Sequence, residues 1–142
     1  YDAYIPGRLE MVSREPLVLV DAAHNPHAAR SMSRSLHDLL PDRDRVLVCG
    51  MVNDKDAWNT LKYLGQNTCR CVITRPKGER GSNWYRVYEA WKELFPEIPV
   101  QATENIVEAV EQGIHYLQDN QYMLVTGSFY VLDQARRYFT AD

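Results

Sequence analysis

At 142 residues, 45% of them hydrophobic and 25% charged, the chain is long enough to bury one sizeable core and has the composition of an ordinary globular domain. A net charge of −3 with interspersed signs leaves no extended basic face, so nucleic acid is not an expected partner. No apolar run approaches the roughly 18 residues of a membrane span, and position 1 is Tyr with no basic-then-apolar leader, so we expect one domain cut from a longer cytoplasmic protein.

In chain order, Leu9 to Val12 alternates weakly and a short polar turn leads to the apolar run Leu17-Val18-Leu19-Val20, which suggests a hairpin and one antiparallel edge strand. Asn25 is a strong N-cap and Pro26 loses nothing at a first helical position, so a helix starts there and runs to about Leu40 before Pro41. Val46 to Cys49 predicts a second buried strand. Asp54 or Asp56 then caps a helix with Trp58, Leu61 and Leu64 that stops at Gly65. Cys71 to Thr74 is a third strand, and Trp84, Val87, Tyr88, Trp91 and Leu94 mark a helix ended before Pro96. Ile98 to Gln101 reads as a short strand. Thr103 with Glu104 opens a helix through Leu117, Tyr122 to Val125 is another strand, and Phe129 to Tyr138 a closing helix. Strands alternating with helices predict a Rossmann-like, doubly wound, mostly parallel α/β sheet with helices on both faces.

Cys49, Cys69 and Cys71 are odd in number and contain a Cys-x-Cys spacing. That fits neither a secreted disulfide framework nor structural zinc, so buried apolar packing is expected and no metal site is assigned.

The chemistry is expected where Pro16 to Ala29 passes from buried strand through polar turn into helix. Asp21 ends the strand, and the free amides of the following helix point into the same crevice, where open α/β sheets bind ligands, often anionic. The residues alone leave two readings: Asp21 caps local amides and His24 packs in the turn, or both meet a ligand. Arg8, in Pro-Gly-Arg, offers a planar fork suited to phosphate, or is a solvated hinge residue. The loop Arg75 to Asn83 is either a flexible solvated segment or an anion-collecting rim. Gly127 lets a ligand approach the backbone, while Ser128 presents a hydroxyl or caps the last helix.

Asp21-Ala-Ala-His-Asn-Pro26 resembles the D-x-A-H-N-P signature of the C-terminal domain of Mur-type ATP-dependent amide ligases, and the continuation looks like the dihydrofolate synthase/folylpolyglutamate synthase branch. Pro6-Gly7-Arg8, Gly50-Met51 with Asp54-Lys55-Asp56, Arg80-Gly81 and Gly127-Ser128-Phe129 follow in the family's order, over nearly the whole chain. The resemblance implies a sheet of about six strands with one antiparallel strand. It implies a domain that closes over ATP and helps position L-glutamate, while a preceding P-loop domain binds ATP with Mg. The substrate carboxylate of dihydropteroate or a folylpolyglutamate is phosphorylated and the glutamate amine attacks to form an amide. On this reading Arg8, Asp21 and Asn25 contact nucleotide, His24 and Ser128 serve the reacting end, and the parent enzyme is a monomer. Glu79 stands where the family has Pro, which departs from its pattern around Arg80.

The sequence has no G-x-x-x-x-G-K-[ST], so this chain by itself does not cradle β and γ phosphates in the P-loop manner, and the isolated domain is expected to be inactive. The competing expectation is a free-standing nucleotide-binding or signalling module. It lacks a G-x-G-x-x-G after the first long strand, and a serine hydrolase lacks the G-x-S-x-G elbow.

Overall fold

The computed structural model describes residues 9–53 and 56–140. Arg8, Asp54 and Lys55 lie outside them. The elements are β1 (Glu10–Arg14), β2 (Leu17–Asp21), α1 (Pro26–Leu39), β3 (Arg45–Cys49), α2 (Ala57–Leu64), β4 (Thr68–Thr74), α3 (Tyr85–Leu94), β5 (Val100–Thr103), α4 (Ile106–Tyr116), β6 (Tyr122–Thr126) and α5 (Phe129–Thr140). They form one six-stranded sheet in the order β1-β2-β6-β3-β4-β5. The β1–β2 hairpin is antiparallel and every other pairing is parallel.

The uninterrupted apolar strands have the composition they need because both sheet faces are covered. Leu19, Leu47, Cys49, Cys71, Ile73 and Leu124 point to the face packed by α1, α2 and α3, through Met32, Leu36, Leu61, Leu64, Val87 and Trp91. Val18, Val20, Val48, Val72, Met123 and Val125 point the other way, onto Ile106, Val110, Val131, Leu132 and Ala135 of α4 and α5. Truncating one of these, Leu36 or Leu124, to Ala should cost about 2–5 kcal/mol.

Helix starts follow local capping chemistry. Asn25 Oδ1 accepts from Ala28 N at 2.9 Å, Asp56 Oδ1 from Asn59 N at 3.1 Å, and Asn105 Oδ1 from Glu108 N at 3.0 Å. The α4 cap is thus Asn105, two residues after the expected Thr103, because Thr103 is taken up pairing with Thr74 at the end of β5. The strand expected at Ile98 to Gln101 begins instead at Val100. Ile98 N closes a turn onto Phe95 O, and Pro99 has no amide to give a ladder. β4 starts earlier than expected, at Thr68, since its polar first residues Thr68 and Arg70 pair with Arg45 and Val46 of β3. Arg45, also outside the expected strand, is 1% exposed, donating to Tyr122 OH at 3.1 Å and Leu64 O at 2.8 Å.

For function, the chain path matters most. From the adjacent strands β2 and β6 the chain leaves to opposite faces, into α1 and α5, and the same holds for β3 and β6 with α2 and α5. The loops after β2, β3, β4 and β6 therefore diverge around a crevice at the carboxyl edge of the sheet.

Candidate functional site

Asp21 ends β2 in parallel register with Thr126, the last residue of β6. It is 3% exposed, and its Oδ1 accepts from Ala23 N at 2.8 Å, folding the chain into a tight polar turn. Thr126 Oγ1 donates to Ala23 O at 3.1 Å and ties that turn to the neighbouring strand. Within the turn His24 Nδ1 lies 2.8 Å from Ala22 O. A carbonyl only accepts, so Nδ1 carries a proton, and in the neutral form of the imidazole Nε2 is then the acceptor. Asn25 has its side-chain oxygen occupied by the cap on α1, so what it offers the crevice is the set of amides that it orders.

Across the crevice Gly127 takes φ +112°, and a Cβ there would run into Gly50 O and come within 3.2 Å of Cys49 Sγ. Only glycine lets the ends of β3 and β6 approach this closely. Cys49 beneath them is inert as a nucleophile, since burial pushes its thiol up to about 12. Ser128 starts α5, its carbonyl accepting from Leu132 N at 3.0 Å and its Oγ from Tyr130 N at 3.2 Å. The hydroxyl thereby accepts from the backbone and keeps its own proton to donate.

His24, Gly127, Ser128 and Phe129 line one side of a cavity of about 480 Å³, and Lys77, Gly78, Glu79 and Arg80 the other. Phe129 is 70% exposed, its ring centroid 6.2 Å from that of His24. Lys77 Nζ stands 5.8 Å above the Tyr130 ring, within cation–π range. This pair divides the cavity from a second of about 410 Å³ toward Glu104 and Val107.

Of the sequence-expected site residues, His24 and Ser128 meet in this cavity, whereas Asp21 is buried at the end of β2 and does not line it. Arg8 lies outside the described residues. The three cations of the 75–83 loop divide: Arg75 pairs with Glu104 at 3.0 Å on the surface, while Lys77 and Arg80 line the cavity. The loop contains a single 3-10 turn at Glu79–Gly81 and is hydrogen-bonded to the segment after β3, chiefly through Asn53, which sequence reasoning did not single out. Asp56 caps α2, as the helix-start reading of Asp54-Lys55-Asp56 expects. Among the described residues no group of three His, Cys, Asp or Glu side chains is placed to hold a metal ion, and no helix is long and apolar enough to cross a membrane. The polar turn, the helix amides and the paired cations do suit a polyanion.

The chain is similar to known proteins along nearly its whole length. The dihydrofolate synthase/folylpolyglutamate synthase of Haemophilus influenzae is 31% identical over 121 residues, 82% of this chain and 27% of that protein. The crystal structure of Mycobacterium tuberculosis folylpolyglutamate synthase complexed with ADP and AMPPCP superposes with a TM-score of 0.86 at 28% identity, covering 99% of this chain and 34% of that one. A bifunctional folylpolyglutamate synthase/dihydrofolate synthase with Mn, AMPPNP and L-glutamate bound gives 0.81 at 27% identity, over 96% of this chain and 32% of that one. The chain thus spans between a quarter and about a third of the proteins it resembles. Residues 7–129 match the family described as Mur ligase, glutamate ligase domain, and with that match over most of its length the chain belongs to this family.

Proposed function

We propose that this chain is the C-terminal domain of an ATP-dependent ligase that adds L-glutamate to dihydropteroate, to folylpolyglutamates, or to both. The observation that carries the reading is the cavity in which Lys77 and Arg80 face His24 and Ser128 at the carboxyl edge of the sheet. Glutamate brings two carboxylates and one amine. The two cations attract the carboxylates, the Ser128 hydroxyl donates to one of them, and His24 Nε2 accepts from the amine as it is aimed at the activated substrate carboxyl.

Asp21 and the α1 amides ordered by Asn25 form the nucleotide side of the same edge, and Arg8, outside the described residues, is assigned to the nucleotide phosphates. ATP supplies the phosphoryl group that activates the substrate carboxyl. Mg is assigned to a preceding P-loop domain of the same chain, the partner of this domain, as the family resemblance implies. Of the six exposed large apolar side chains among the described residues, Trp58, Tyr85, Val107, Phe129 and Tyr130 fall in the first two positions of α2, α3, α4 or α5, which places these five around this one edge, while Leu39 ends α1 at the opposite edge. An apolar rim around a polar cavity suits a second domain closing over it, and closure excludes the water that would hydrolyse an activated carboxyl. The parent protein is read as a monomeric cytoplasmic enzyme.

The test compares the isolated chain with the full-length protein that carries it. The isolated chain should melt cooperatively, bind ATP more weakly than micromolar in calorimetry, and incorporate no labelled glutamate. The full-length protein should incorporate glutamate into dihydropteroate or a folate in the presence of ATP and Mg. Robust turnover by the isolated chain, or none by the full-length protein, would overturn the proposal.

A further inference from the structure

The loop that brings Lys77 and Arg80 to the cavity does not hold itself in place. Four hydrogen bonds from Asn53, in the segment after β3, reach across to it. Asn53 N donates to Arg80 O at 2.6 Å, Asn53 Nδ2 to Glu79 O at 2.9 Å and to Ser82 Oγ at 3.0 Å, and Asn53 Oδ1 accepts from Asn83 N at 2.7 Å. Every polar atom of one carboxamide is thereby used on a segment 26 to 30 residues further along the chain. Asn is suited to this because a short side chain must offer an acceptor and two donors at once, which neither Asp nor Ser does.

The fixed stretch runs from Glu79 to Asn83, and Gly81 N donates back to Gly78 O at 3.1 Å, so the anchor extends through one turn to the residue beside Lys77. Arg86 supports the far end, donating to Asn83 O and to Val52 O at 3.0 Å each.

We propose that Asn53 is a positioning residue for the amino-acid substrate: it sets the distance between Lys77 and Arg80, and so the cavity's fit to a dicarboxylate. The inference rests on the assignment of this cavity to glutamate made above. Asn53 does not line the cavity, so it acts on affinity through the loop and leaves the reacting atoms untouched.

The experiment uses Asn53→Ala and Asn53→Asp in the full-length protein, with glutamate and ATP varied separately. Asn53→Ala should raise KM for glutamate about tenfold while kcat and KM for ATP stay within about twofold. Asn53→Asp keeps the bond from Asn83 N and should fall between wild type and Ala; it carries the test if the Ala variant does not fold. Trypsin should cut after Lys77 and Arg80 faster in both variants than in wild type, with the melting temperature changed little. Wild-type turnover with the glutamate KM unmoved in both variants overturns the role of Asn53 alone. A wild-type protein that incorporates no glutamate overturns the assignment of the cavity, and equal trypsin cleavage in all three proteins overturns the clamp itself.

Discussion

Replacing Gly127 by Ala tests whether the site is built on a backbone approach that no side chain tolerates. Gly127 sits at φ +112°, where an L-residue costs roughly 1–3 kcal/mol. The added Cβ would collide with Gly50 O and lie 3.0 Å from the carbon of that carbonyl. Gly50 N donates to Thr126 O at 3.3 Å, so relieving the collision parts the ends of β3 and β6 and weakens a bond worth about 0.5–1.5 kcal/mol. The stiffer unfolded chain offsets about 0.4–1 kcal/mol. The net loss is about 0.5–4 kcal/mol, which for a domain of this size lowers the melting temperature by about 2–14 °C. Gly78 is the internal control. Its φ of +84° is equally foreign to Ala, but nothing lies within 4 Å of a Cβ there, so Gly78→Ala bears the backbone cost alone. Thermal melts of the two variants followed by circular dichroism should place Gly127→Ala about 2–5 °C below Gly78→Ala. Equal melting temperatures would refute the close approach as the reason for glycine.

Thiol labelling at pH 8 should leave Cys49 and Cys71 unmodified in the folded chain, because both are fully buried with thiols raised by desolvation, whereas the half-buried Cys69 reacts; rapid labelling of all three would contradict the packing. The same shift sets an alkaline limit. The folded pKa of Cys49, about 12, lies above the ordinary 9.0, so its contribution to stability is complete below pH 9 and is lost as pH rises from there through 12, which urea melts across that range would record. Asp56→Ala removes the cap on α2 and its bond from Asn59 Nδ2 at 2.9 Å, and should cost about 1 kcal/mol in urea denaturation, with Asp56→Asn costing less. Asn59 holds the Asp56 carboxyl below its ordinary value of 3.8, so the cap should be strongest above that pH and fade as pH falls through it, and a pH-independent difference between wild type and Asp56→Ala would contradict this.

The sequence carried the sheet and its site wherever one local signal dominated. The apolar runs at 17–20, 46–49 and 122–125 could be satisfied only by strands covered on both faces, and Asn25-Pro26 fixed the start of α1 to the residue. Boundaries moved where two signals competed, as at Thr103 and Asn105, where strand pairing took the first polar residue and left the cap to the second. That Asp21, His24 and Ser128 lie at the carboxyl edge was legible because they end or follow strands, and topology brings such ends together. Asn53 was not, since its partners lie 26 to 30 residues away and nothing in an Asn within a turn announces a long-range role. The division of Arg75 from Lys77 and Arg80 was equally hidden, because it depends on where Glu104 enters from the next crossover.

Steady-state kinetics of Asp21→Ala and His24→Ala in the full-length protein, with ATP and glutamate varied in turn and melting temperatures matched, test the central claim most directly. The claim is that one turn serves two ligands from its two sides. Each substitution removes a hydrogen bond to a charged group, about 1.5–3 kcal/mol, or roughly ten- to a hundredfold in the affected constant. Asp21→Ala should chiefly weaken the use of ATP, and His24→Ala should chiefly lower turnover or the use of glutamate. Both variants within about threefold of wild type in every constant, well short of the 1.4 kcal/mol of a factor of ten, would mean that the turn only holds the fold together.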